Sequence, residues 1–349
     1  METVRWCPTR YVRRTGSSLR CRRVDAMAGW AFYVAVAGVM LLSANPSASS
    51  SEVRRSERIA FGSTSELARE AERQLGRALF FDSGLSADGS VSCASCHEPS
   101  HGYSSPHAIP AGVVGKRGAR RPPSLLDVGL RKELFWDGRA ESLETQALYP
   151  ILGAAEMGNT VLAVESYVGR TASYGQLFRS AYGDYPITIG RISTAIAAFE
   201  RSLSTARTEA DNIPSSGCQS MREPRLVRGC EVFFGKGNCA ACHSMTAENW
   251  YFTDFGYHNI GIGRRDKLDL GRFYNTLIVG DIGKFRTPSL RGVGSRPPYM
   301  HDGSMKTLAE VVDYFNKGGV PNGSMDPLIK PLDLSDQDAA ELVYFLESL

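Results

Sequence analysis

Surplus charge, long apolar runs and cysteine are all scarce in this 349-residue chain. The formal net charge is +3, but seven of the 40 basic and two of the 37 acidic residues fall within the first fifty positions, leaving 33 against 35 beyond them. A remainder at −2 has no electrostatic footprint for nucleic acid, which removes that class of partner. The one apolar run that stands out, Ala28–Ser43, is shorter than the ~20 residues a bilayer span needs, so no membrane span is expected in the mature protein. No stretch alternates or carries enough β-branched residues to read as a sheet. Cysteine is limited to eight residues, two of them in the first fifty.

The apolar run lies between Arg20, Arg22 and Arg23 on one side and small residues around Ala44 and Ala48 on the other. Basic, apolar, small is the order of a secretory signal, so residues 1–50 read as a leader and the expected location is the periplasm. The Arg-rich stretch ahead of Met27 adds nothing to such a signal, and Met27 is an alternative start.

Four of the six remaining cysteines occur as Cys93-Ala94-Ser95-Cys96-His97 and Cys239-Ala240-Ala241-Cys242-His243. Two thiols one helical turn apart can add to the two vinyl groups of a haem, and the adjoining imidazole reaches the iron from below. Two copies behind an export signal imply two covalently attached haem c groups rather than zinc or dithiol chemistry. The proximal metal ligands are then His97 and His243. Cys218 and Cys230 are left over; an oxidising compartment favours their pairing, two buried free thiols being the alternative.

The chain repeats itself around these motifs. Gly76-Arg77-Ala78-Leu79-Phe80-Phe81 precedes the first, and Gly229-Cys230-Glu231-Val232-Phe233-Phe234 the second. Arg121–Gly129 matches Arg286–Gly294, and seven residues on come Trp136-Asp137-Gly138 and His301-Asp302-Gly303. The expected fold is therefore all-α, two tandem cytochrome-c-like haem domains with long loops. Residues 51–206 form the N-terminal domain and 207–349 the C-terminal one. Apolar spacing and polar starts predict helices at Ser65–Phe81, Leu143–Pro150, Ile189–Leu203, Thr307–Asn316 and Ser335–Leu349. Residues 84–124 and 254–304 read as loops lining the cofactors.

The repeat also separates the two irons. Counting from Leu143 and Leu308 sets Pro150 opposite Phe315. Proline has no donor atom, so the first iron is expected to be open on its distal side, with Glu156 beside it as a candidate acid/base.

These residues resemble the bacterial di-haem cytochrome c peroxidase family, including its MauG-type members, from about Gly76 to Leu349. The markers are Leu79-Phe80-Phe81-Asp82, both haem motifs, Phe135-Trp136-Asp137-Gly138-Arg139, Gln146, Pro150, Glu156-Met157, Lys284–Leu290 and Pro298–Gly303. The resemblance implies a peroxide-reactive haem on Cys93, Cys96 and His97, with Glu156 and Gln146 in its distal pocket. It implies an electron-entry haem on Cys239, Cys242 and His243, with Trp136 between the two. The implied activity is reduction of hydrogen peroxide to water with electrons from a small periplasmic cytochrome c or cupredoxin. The alternatives are MauG-type oxidation of residues in a partner protein by peroxide-derived equivalents, and a non-catalytic di-haem electron carrier. Oligomeric state stays open between monomer and homodimer.

Three positions depart from the family pattern. Val113 stands where many relatives place a distal histidine, with His101 and His107 on the same loop. Phe315 stands where the second haem takes Met or Tyr. A one-residue shift would bring in the neighbouring Tyr314 as a metal ligand, whereas the ~100° between the two on a helix would turn Tyr314 away and leave that position empty. Arg121 stands where an Asn serves an inter-domain calcium site, which puts calcium in doubt although carbonyls near Arg296 and Pro298 remain. His258 and His301 are expected to do no more than hydrogen-bond propionates or backbone.

Overall fold

The computed structural model describes residues 50–246, 248–263 and 269–349. The leader and its apolar run fall outside these residues, apart from Ser50. Arg54–Leu349 forms one compact unit.

The fold is all-α. Its longer helices are Ser50–Phe81, Leu143–Leu152, Val161–Arg170, Ala172–Tyr182, Ile189–Arg201, Pro224–Phe234, Leu308–Asn316 and Asp336–Glu347. The helices expected from apolar spacing are all present, the first of them extended at its start. The expectation did not cover Val161–Arg170, Ala172–Tyr182 or Pro224–Phe234. Tyr257–His258 pairs antiparallel with Phe285–Arg286, a two-residue contact inside the second long loop. Among the described residues no helix is long and apolar enough to cross a membrane.

The duplicated glycines explain how each half closes. Side chains at Leu75, Leu79 and Phe80 share one fully buried face of the first helix, and Ile192, Ala195, Ile196 and Phe199 recur at helical spacing on its partner. A Cβ at Gly76 would run into the Ala195 carbonyl, so the two helices cross backbone to backbone. In the second half a Cβ at Gly229 would meet the Glu341 carbonyl in the same way. There Phe233 and Phe345 lie 5.5 Å apart between ring centroids, and Phe233 and Phe252 5.7 Å. Two apolar clusters result, one drawn from residues 75–203 and the other from 210–349.

Helix starts are fixed by side-chain caps, which place the elements of the cofactor walls. Ser142 accepts from the Thr145 N–H and Thr307 from the Glu310 N–H, the same cap at the same point of each repeat. Thr188 and Ser335 cap the two closing helices. Cys218 and Cys230 form a disulfide with Cα atoms 5.6 Å apart, fastening the start of the second half to its first helix.

Gly229→Val should destabilise the protein by about 1–3 kcal/mol, the usual cost of overpacking, because backbone rather than a flexible side chain blocks the new atoms. Thermal unfolding followed by far-UV circular dichroism checks this. An unchanged midpoint would mean that the helices do not cross this closely.

Candidate functional site

Each Cys-x-x-Cys-His motif stands on the wall of a separate cavity. Cys93–Cys96 forms a single helical turn and Cys239–Ala241 a tighter one, so both thiols of a pair leave the backbone on one side. None of the four is in a disulfide. Burial holds three of them as neutral thiols, with Cys96 pushed up to about 11, Cys239 to about 12 and Cys93 further.

The histidines are set alike. Nδ1 of His97 lies 3.0 Å from the Tyr103 carbonyl and Nδ1 of His243 2.9 Å from the Phe252 carbonyl. A carbonyl only accepts, so Nδ1 carries the proton and Nε2 keeps a lone pair for a metal. Burial lowers both imidazoles, His97 to about 4, which keeps them neutral at ordinary pH. Two thiols, one neutral imidazole of fixed tautomer and a largely apolar cavity fit haem c at both places.

The first cavity, of about 930 Å³, is lined by Cys93, Cys96 and His97, with Gln146 and Pro150 from helix Leu143–Leu152, Glu156, Arg139 and Trp136. Glu156 is held by its backbone. Its N–H donates to the Gly153 carbonyl (2.9 Å) and its carbonyl accepts from the Val113 N–H (2.8 Å), while Met157 N–H reaches the Pro150 carbonyl (3.0 Å). Burial raises the Glu156 carboxyl above its ordinary value, and Arg139 pulls it partly back. The Gln146 Oε1 is buried without a hydrogen-bond partner among the described residues. The expected grouping of Gln146, Glu156 and Pro150 on the wall carrying Cys93, Cys96 and His97 is thus present in space. His101 and His107 are not among the residues lining this cavity.

Trp136 lines both cavities, buried, with its indole N–H donating to the Arg121 carbonyl at 2.7 Å. His301 lines both as well, stacked on Phe285 at 3.6 Å and edge-on to Trp136 at 6.4 Å. The bland expectation for His301 missed this place between the cavities.

The second cavity, of about 240 Å³, is lined by Cys239, Cys242, His243, Phe315, Met300, Lys330 and His258. Tyr314 is not among its lining residues. The phenol donates to the Ile260 carbonyl at 2.8 Å and accepts from the Val320 N–H at 3.1 Å. Residues 314 and 315 sit about 100° apart on their helix, so turning Phe315 inward turns Tyr314 aside. The geometry thus favours the reading against Tyr314 as a metal ligand. His258 also differs from expectation: its Nδ1 is 2.6 Å from Asp326 and its Nε2 2.9 Å from Asp254. Hydrogen bonding to Asp254, then to Cys242, with Asp326 adding to it, raises it to about 11.

Sequence reasoning missed Glu200, buried on the closing helix and lining the first cavity, which burial raises to about 8. Its position one residue after Phe199, on the apolar stripe of Ile192 and Ile196, was the available signal. Also missed was the pairing of Arg120 with Asp137 (2.6 Å) and Asp269 (2.7 Å), which fastens residues of the two halves together at the rim of that cavity. No spacing rule joins positions 120 and 269.

Comparison with known proteins agrees with this geometry. Residues 70–217 match the family model for di-haem cytochrome c peroxidase, and 226–349 that for cytochrome c. The chain is 39% identical over 278 residues to the methylamine utilization protein MauG of Methylorubrum extorquens, covering 79% of this chain and 77% of that protein. It is 31% identical over 304 residues to the cytochrome-c peroxidase IdrP1 of a Pseudomonas species, with 79% of each covered. The crystal structure of a MauG-like protein associated with microbial copper homeostasis superposes with a TM-score of 0.73 at 30% identity, over 80% of this chain and 89% of that one. The chain belongs to the di-haem cytochrome c peroxidase family, a family carrying two haem c groups.

Proposed function

We propose that the chain is a periplasmic peroxidase that reduces hydrogen peroxide at the haem held by Cys93, Cys96 and His97. Reducing equivalents would enter from a small cytochrome c or cupredoxin through the haem on Cys239, Cys242 and His243. One observation carries the reading. A carboxyl raised by burial, Glu156, and a buried unpaired acceptor, the Gln146 Oε1, line the same cavity as a donor-free Pro150. Among the described residues nothing equivalent lines the second cavity, where Phe315 takes the place of Pro150.

When bound, the first haem supplies an iron that binds peroxide and takes up two oxidising equivalents. The chain's own part is proton handling. The Glu156 carboxylate would take a proton from one peroxide oxygen and return it to the other, which would leave as water. A raised pKa suits both halves of that cycle, since the group exchanges protons closer to neutrality than a solvated carboxylate. The Gln146 Oε1 accepts a hydrogen bond from the remaining peroxide proton and orients it. Trp136, packed between the cavities, offers an aromatic step for electrons passing from one half to the other.

A second reading is MauG-type oxidation of residues in a partner protein. It is favoured by the 39% identity to a MauG protein and by a first cavity whose lining holds no histidine beyond His97 and His301. Steady-state peroxide turnover with a reduced small c-type cytochrome separates the two. Sustained turnover supports the peroxidase, and a long-lived oxidised protein that such a donor does not discharge supports the alternative.

His97→Ala should abolish the fast reaction with peroxide, whereas His243→Ala should keep peroxide binding and lose donor-fed turnover. Stopped-flow absorbance reads both, and a fast reaction surviving in the His97 variant reverses the roles of the two halves. Glu156→Gln should slow formation of the oxidised protein about 10²–10⁴-fold, the usual scale for a lost acid/base group. In the parent that rate should fall as pH drops through the raised Glu156 pKa, because the proton-accepting carboxylate is then consumed. The variant should lose this limb, and a pH profile identical in the two proteins would reduce Glu156 to a structural carboxyl. Tyr314→Phe should leave the optical and magnetic signals of the second haem as they are, a changed signal restoring the tyrosine as ligand.

A further inference from the structure

We propose that the Arg121 guanidinium is the resident cation of the junction between the two haem cavities, so that this chain needs no divalent metal ion there. This role of Arg121 is the same whichever reaction the haems serve.

Arg121 is buried and bonded to both halves. Its Nη2 donates to the Ser105 carbonyl of the first half (2.9 Å) and to the Arg296 carbonyl of the second (3.0 Å). Its backbone N–H donates to the His301 carbonyl (2.7 Å), and its carbonyl accepts from the Trp136 indole (2.7 Å). The carbonyl at Arg296 is one of the oxygens left over for calcium by the family resemblance, and here a charged nitrogen already holds it.

Calcium does not fit these residues. It takes six to eight oxygens at about 2.3–2.6 Å and prefers several to be carboxylates. No carboxylate hydrogen-bonds to Arg121 among the described residues. Three further arginines, the half-buried Arg131 and the buried Arg286 and Arg296, form no ion pair among the described residues. They bond instead to the carbonyls of Ser124, Leu126, Phe135, Thr287 and Ser289. A second positive charge placed beside this group would be repelled at short range in a poorly screened interior. The guanidinium meets the same need differently, with a fixed charge and a planar fork that bonds two carbonyls from two segments. Burial lowers Arg121 to about 10, so it stays charged at neutral pH. Its Nε is buried without a partner among the described residues, and Arg121 lines both cavities. That leaves one charged donor free for an anion reaching in from a cavity, and a haem propionate is of the matching class.

The test uses the holoprotein and calcium alone as probe. After dialysis against EGTA the parent should contain well under one calcium per chain by elemental analysis. Its haem optical and magnetic spectra should not change, and it should show no saturable heat on titration with millimolar calcium. Arg121→Asn removes the charge and supplies a side-chain oxygen. Its haem spectra should shift on EGTA and return with calcium. Arg121→Lys keeps the charge and should stay insensitive to EGTA. One tightly held calcium in the parent, or spectra that change on EGTA and recover with calcium, would overturn the proposal. So would an Arg121→Asn protein whose spectra match the parent's in EGTA. If that variant yields no holoprotein, the parent's calcium titration decides, saturable binding refuting the proposal and its absence supporting it.

Discussion

One hydrogen bond in each half governs what the rest of the molecule can be: a histidine Nδ1–H given to a backbone carbonyl, Tyr103 for His97 and Phe252 for His243. It fixes the tautomer, aims the free Nε2, and requires a loop to come back over the ring so that its carbonyl is on hand. Both carbonyls belong to residues just downstream of the motif, Tyr103 six positions after His97 and Phe252 nine after His243. Both residues have backbone strained into positive φ, 52° at Tyr103 and 53° at Phe252. Non-glycine residues seldom adopt that conformation, so the surrounding packing must hold it. Phe252 is fully buried against Phe233 and Phe345, which provides that hold in the second half.

The two halves share this frame and differ in what lines it. The first cavity holds Glu156 and Glu200, carboxyls that exchange protons, and Gln146, whose Oε1 accepts hydrogen bonds. In the second, Phe315, Val312 and Leu308 line the wall, and the ionisable His258 is locked between two carboxylates. Held between two carboxylates, that imidazole exchanges protons poorly at neutral pH, so the ionisable groups of the two cavities differ in kind. The duplication thus gives one scaffold twice, and a handful of wall residues distinguishes the two cavities.

Much of this was legible in the chain because the determinants are local. Cys-x-x-Cys-His, the polar caps at Ser142 and Thr307, and the Gly-x-x-x-Phe-Phe helices act over a single turn, so spacing alone exposes them. Glu156 was legible from the repeat, six residues beyond the donor-free Pro150, whereas Gln146 was legible only through the family pattern. What stayed hidden depends on contacts between distant positions. Arg120 with Asp269, and His258 with Asp326, join segments more than sixty residues apart, and no periodicity encodes such pairs. Tyr314 illustrates the limit from another side. Sequence brought a ligand-capable side chain within one residue of the right register, but a helix separates neighbours by about 100°, and that rotation decides which one faces the cavity.

The contact between the halves follows from the same economy. The two aromatics that line both cavities need to be held in place by their neighbours. Trp136 meets this through its indole bond to the Arg121 carbonyl, and through its own carbonyl accepting from the Arg286 N–H at 2.8 Å. His301 meets it by stacking on Phe285, one residue before Arg286 in the strand pair. Each half therefore contributes its duplicated aromatic, Trp136 or His301, to the junction, and each is bonded to the arginine-bearing segment of the other half. A rotation of one half against the other would break these bonds together. The aromatics that line both cavities and the seam that joins the halves share the same atoms, so weakening the seam would displace both aromatics together.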